Sequence, residues 1–109
     1  MFGFFVDKKD CSHHRIFPGV DIYTTHGNSM MLSLVEFEPH AVVEEHSHPH
    51  EQLGYMIEGE AQFIVGGLSR TVGPGGMWRI PGGVPHKVIA GDQPVRALDA
   101  FYPIREDYR

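Results

Sequence analysis

Three histidines and an amide, in two stretches of this 109-residue chain, are the side chains best suited to hold a metal ion. The first stretch reads His46-Ser47-His48-Pro49-His50-Glu51-Gln52, followed by Gly59, and the second reads Pro81-Gly82-Gly83-Val84-Pro85-His86. Residues two apart on a strand face the same side, so His46 and His48 can offer two imidazoles to one point. Neutral imidazole accepts zinc, iron, nickel, copper and manganese alike, so the spacing predicts a divalent-metal centre without naming its metal.

The two stretches resemble the paired motifs of the cupin superfamily. The first motif reads Gly, five residues, His-x-His, three or four residues, Glu, six residues, Gly. His46, His48 and Gly59 fall in register with it, with Gln52 at the carboxylate position and His40 at the first glycine. The second reads Gly, five residues, Pro-x-Gly, two residues, His, three residues, Asn. Gly75, Pro81, Gly83 and His86 match it, and Ala90 stands where the family has Asn. The resemblance implies one divalent ion (nickel, zinc, manganese or iron) held by His46, His48, Gln52 and His86, inside an all-β, antiparallel jelly-roll barrel. Taking His48 and His50 as the leading pair would put Gly54 or Tyr55 at the fourth position, and neither suits a ligand. His50 is therefore expected as a loop histidine near the site, and Glu51, one residue short of the carboxylate spacing, as solvated or supporting.

Composition agrees with one small domain over residues 1–109, with a hydrophobic content of 41% and thirteen glycines and eight prolines punctuating short apolar runs. A formal charge of -5 with scattered basic residues argues against nucleic-acid and anionic-membrane partners. Cys11 is alone, which excludes an internal disulfide and makes a reducing cytoplasm the default. The opening Met1-Phe2-Gly3-Phe4-Phe5-Val6 lacks a basic leader and is too short to span a bilayer.

Strands are expected over 30–37, 42–48, 53–57, 61–65, 68–72, 77–80, 86–90 and 95–101, making residues 30–105 the barrel. Gly66-Gly67 predicts a two-residue hairpin. In residues 1–18, Phe2, Phe4, Phe5, Ile16 and Phe17 are too apolar to leave in water. Two placements fit them: an edge strand against a second copy, giving a homodimer, or a strand covering its own barrel. His13 and His14 are expected to be exposed.

Gln52 bears on mechanism. A carboxylate there would reduce a divalent site to about +1, whereas three imidazoles and an amide leave the full charge on the ion. Such a site favours an enolate or carboxylate ligand over stabilising an oxidised metal. In the last strand Val95, Ala97, Asp99 and Phe101 share one face, and an ionised, unpaired carboxylate there would cost several kcal/mol, roughly. Asp99 is then either paired with Arg96 or Arg105, or facing the metal as a general acid/base, with Phe101 and Arg105 lining the substrate. Trp78 and Arg79 call for no more than core and surface roles.

Leu98-Asp99-Ala100-Phe101-Tyr102-Pro103-Ile104-Arg105-Glu106-Asp107-Tyr108, together with the metal set, is similar to the small cupins of uronate catabolism. That resemblance implies metal-dependent conversion of 4,5-unsaturated monouronates, from pectin or alginate, into linear keto sugars. It makes the partner a small anionic sugar and the catalytic residues Asp99, Arg105 and Phe101. Two rival functions share the scaffold: a metal-dependent dioxygenase and a non-catalytic small-molecule-binding cupin.

Overall fold

The computed structural model describes residues 3–109. Alternating apolar residues broken by Gly and Pro turns produce ten strands among them: β1 (Ser12–Phe17), β2 (Val20–His26), β3 (Met31–Phe37), β4 (Val42–His46), β5 (Glu51–Glu58), β6 (Ala61–Val65), β7 (Leu68–Val72), β8 (Met77–Ile80), β9 (His86–Ala90) and β10 (Val95–Tyr102). They pair antiparallel into a six-stranded sheet, ordered β1-β2-β3-β10-β5-β8, and a four-stranded sheet, ordered β4-β9-β6-β7. The inward faces meet in a core that includes Ile22, Val35, Phe37, Met56, Phe63 and Val88. This is the expected all-β jelly roll. On β10 burial alternates strictly, which puts Val95, Ala97, Asp99 and Phe101 inside.

Two turns need glycine. Gly66 and Gly67 join β6 to β7 with φ of +56° and +82°, the left-handed pair that a two-residue hairpin requires. Gly59 has φ +81°, and a Cβ there would lie 2.3 Å from the Pro94 carbonyl oxygen.

The structure departs from the sequence reading at several places. The strand expected over 42–48 ends at His46, because the β4–β9 register slips between Val43 and His46 and releases the chain into a loop. The seven-residue β2 was not expected; it pairs with β3 along its whole length. The N-terminal apolar stretch is divided: β1 pairs with β2 of the same chain, and Ile16 and Phe17 pack against the core, while Phe4 and Phe5 stand in solvent. Phe2 lies outside the described residues. His13 is exposed as expected, but His14 is half-buried and bonds the Tyr108 carbonyl, 3.1 Å away. Among the described residues no helix is long and apolar enough to cross a membrane.

Candidate metal centre

The two motif stretches meet at one end of the barrel because their backbones clasp. The Gly83 N–H donates to the His48 carbonyl at 2.8 Å, and a Cβ on Gly82 would come within 2.2 Å of the Pro49 oxygen. That contact places the loop carrying His48 against β9, where His46 and His86 are already cross-strand partners. His48 therefore joins the cluster from a loop. Ring centroids are 4.4 Å apart for His46 and His86, 5.0 Å for His48 and His86, and 5.6 Å for His46 and His48. One ring nitrogen from each histidine lies within 4.8 Å of the other two.

The tautomers follow from the backbone. Nδ1 of His46 meets the Glu44 carbonyl at 2.9 Å, Nδ1 of His48 the His50 carbonyl at 3.1 Å, and Nδ1 of His86 the Val84 carbonyl at 2.9 Å. A carbonyl only accepts, so each Nδ1 carries the proton and each Nε2 turns a lone pair inward. Burial, reinforced by the charge of Arg105 and by His86, lowers the His48 pKa to about 4, and burial also lowers that of His86. Both rings thus stay neutral, as metal ligands must be. Nε2 of His86 is buried with no partner among the described residues. An inward lone pair with nothing to bind is what a cation would satisfy, so the donor set fits a divalent ion.

Gln52, at the start of β5, lies against this set. Its Oε1 lies 3.1 Å from Nε2 of His48, and its amide also hydrogen-bonds Asp99. A carboxylate draws the NH₂ end toward itself, so the amide oxygen is turned toward the histidines. Two acceptors, Oε1 and Nε2, then face each other, an arrangement a shared cation would relieve.

Asp99 is buried beside this cluster and accepts the Trp78 indole N–H at 2.8 Å. Burial pushes its pKa up to about 6, opposed by hydrogen bonds from Gln52 and Trp78 and by the charge of Arg105. The ion-pair reading fails: Arg96 pairs with Glu36 and Arg105 with Asp107, and among the described residues no salt bridge includes Asp99. Trp78, for which no role beyond packing was expected, holds the acid. It reaches Asp99 across an intervening strand because Gly54, the cross-strand neighbour of both, has no side chain; a Cβ there would lie 1.9 Å from the indole nitrogen.

Arg105 and Phe101 line the same cavity as Asp99, Gln52, His46 and His86. The Phe101 ring stands edge-on to His48 at 5.7 Å. The Arg105 guanidinium lies 3.8 Å from the Tyr108 ring centroid, and its Nε and Nη2 engage the Asp107 carboxylate at 3.3 and 2.8 Å. It also hydrogen-bonds the Tyr108 side chain. Tyr108, also lining, was missed in the sequence; its carbonyl is pinned by the Thr24 hydroxyl at 2.6 Å, a contact from the far end of the chain. His50 sits beside the site, its carbonyl orienting His48 and its ring 5.6 Å from that ring, whereas Glu51 is exposed.

The same fold recurs in known proteins. The chain superposes on the structure of KdgF from Halomonas sp. with a TM-score of 0.87 and 27% identity, covering 97% of this chain and 98% of that one. An RmlC-like cupin from Shewanella frigidimarina matches with a TM-score of 0.89, 24% identity, and 99% and 97% coverage. Oxalate decarboxylase from Bacillus subtilis gives a TM-score of 0.81 at 23% identity, over 94% of this chain and 30% of that one. Among curated sequences, the dimethylsulfoniopropionate lyase DddQ of Ruegeria pomeroyi is 39% identical over 54 residues, which is 49% of this chain. The chain spans only 27% of that relative's length. The cupin-domain family model matches residues 33–101, a span that holds all three clustered histidines, Gln52 and Asp99. With one motif at the end of β4 and the other at the start of β9, closing on each other across the barrel mouth, the chain belongs to the cupin family and is a small cupin resembling KdgF.

Proposed function

We propose that this cupin is a metal-dependent enzyme that opens and ketonises 4,5-unsaturated monouronates. The observation that carries the reading is the amide of Gln52, shared between the histidine cluster and a buried acid poised near neutrality. It couples a neutral donor set to a proton carrier in one cavity.

The reaction is an isomerisation, so nothing is added or removed. The C1 hydroxyl gives up its proton, the bond from C1 to the ring oxygen breaks, C1 becomes an aldehyde, and the oxygen left on C5 is that of an enolate. That proton then arrives at C4 and the enolate becomes a ketone. Asp99 takes the proton from the C1 hydroxyl and delivers it to C4; a pKa of about 6 suits a group that must both accept and donate near neutral pH. The Trp78 N–H holds one carboxylate oxygen, so the carboxylate cannot rotate away during the transfer. Arg105 binds the uronate carboxylate through the N–H groups that Asp107 does not use. Phe101 forms an apolar wall between Arg105 and His48. When bound by His46, His48, His86 and Gln52, a divalent ion supplies positive charge that favours enolate character at C5.

The test is to incubate the nickel-, zinc-, manganese- or iron-loaded protein with the unsaturated uronate, identify the product by NMR and follow dissolved oxygen. A linear keto sugar formed without oxygen uptake is expected. Stoichiometric oxygen uptake would instead make the protein a dioxygenase.

A further inference from the structure

One register level of the six-stranded sheet carries a polar group on four of its strands. Thr24 on β2, Ser33 on β3, Asp99 on β10, Gly54 on β5 and Trp78 on β8 are cross-strand partners in succession. On one side runs an apolar row of Ile22, Val35, Ala97 and Met56. On the other run Met31, Phe101, Gln52 and Ile80. Within the polar row, the Thr24 hydroxyl is used by the Tyr108 carbonyl and the Trp78 N–H by Asp99. Ser33 differs. Its Oγ is buried, the residue being 1% exposed, and it has no hydrogen-bond partner among the described residues.

A buried hydroxyl without a partner lowers stability, and alanine would fill this position without that cost. Ser33 lines the cavity that also holds Asp99, Gln52 and Arg105. A buried hydroxyl that the fold leaves unpartnered, on the cavity wall directly beside the acid, is placed to complete its hydrogen bonds with a ligand. We propose that Ser33 is a specificity-determining residue, its hydroxyl binding a hydroxyl group of a polyhydroxylated ligand on the cavity wall next to Asp99. Taken with the uronate reading, on which this assignment of the ligand rests, the group bound is the C2 or C3 hydroxyl. The metal set and Arg105 then select the acid end of the ligand, and Ser33 selects against deoxy sugars, because an analogue lacking that hydroxyl leaves Ser33 buried and unpaired.

Ser33→Ala tests this with readouts that need no turnover. Trp78 is the single tryptophan of the chain and lines the same cavity, so its fluorescence reports binding there. Metal-loaded wild type and variant are titrated with a saturated hexuronate and with its 2-deoxy and 3-deoxy forms, and both proteins are melted without ligand. The variant should melt at the same temperature or higher, because no intramolecular bond is lost, and should bind the fully hydroxylated acid about tenfold more weakly, the worth of roughly one hydrogen bond. One deoxy form should bind both proteins equally. In turnover of the unsaturated uronate the loss should appear in KM, with kcat little changed. A lower melting temperature in the variant would make Ser33 structural and overturn the proposal, as would equal affinity of both proteins for the hydroxylated acid. If unsaturated uronates are not turned over, yet a Ser33-dependent preference for the hydroxylated acid persists, the subsite stands and only the substrate assignment falls.

Discussion

At the scale of single residues, Gln52 decides the character of the site. Its NH₂ end answers Asp99 and its oxygen answers His48, so one planar group fixes the orientation of a buried carboxylate and of a clustered imidazole. Replacing it with glutamate would place a carboxylate against Asp99 and remove a unit of charge from the ion. Gln52→Glu should therefore still bind about one divalent ion per chain in calorimetric titration with nickel or zinc, while kcat falls more than metal affinity does. His48→Ala, by contrast, should lose that binding; equal binding by this variant would remove the centre from the cluster. Arg105 makes a separable contribution. It is positioned by Asp107 and by the Tyr108 ring, and its proposed use is uniform grip on a carboxylate. Arg105→Ala should chiefly raise KM in steady-state kinetics, the signature of binding lost equally from ground and transition states.

At the scale of elements, the site depends on what three adjacent strands allow. β10 supplies Asp99, β5 supplies the gap at Gly54, and β8 sends Trp78 through that gap. Gly54→Ala should displace the indole from Asp99, seen as a changed Trp78 emission spectrum in the metal-free protein, and lower both the melting temperature and kcat. An unchanged spectrum and rate would mean that the indole does not hold the acid. Most of the framework was legible in the sequence, because strands with one buried face alternate, and because Gly66-Gly67 has few conformations open to it. The inward placement of Asp99 followed from the same alternation. The missing parts were those set by neighbours distant in the chain. Trp78 looked like a core residue because its role exists only once Gly54 lies beside it. Tyr108 is drawn to the cavity by Thr24, and nothing local foretells that bond. The end of β4 was overrun because a register slip carries no side-chain signature. β2 alternates too, with every second residue from Val20 to Thr24 buried, but Asp21, Thr24 and Thr25 dilute its apolar signal. His40, which stands where the family motif carries glycine, adopts φ +65°, so the backbone keeps the glycine conformation without the glycine.

At the scale of the whole molecule, the buried titratable groups make stability depend on pH in opposing ways. Asp99 has a folded pKa of about 6 against an ordinary 3.8, so its contribution is fully present below the ordinary value and is lost as pH rises through about 6, on the order of 3 kcal/mol. His48 and His86 are lowered, so their contribution is present above the ordinary imidazole value of 6.5 and is lost as pH falls, for His48 toward about 4. Asp99→Asn cancels only the first effect. In urea unfolding of chelator-treated protein, the variant should be the more stable at pH 7, with the difference closing toward pH 4; a wild type equally stable at pH 7 would mean that the carboxylate is not penalised by burial. The same substitution also bears on the function itself. The most direct measurement is the decay of the 4,5-unsaturated uronate chromophore above its spontaneous rate, with metal-loaded wild type and metal-loaded Asp99→Asn side by side. Wild type should accelerate the decay, and Asp99→Asn, folded and holding its metal, should lower kcat by ~10²–10⁴, the usual worth of a positioned general acid/base. No acceleration by wild type, with any of the four metals and with substrates of either epimeric series, would contradict uronate ketonisation.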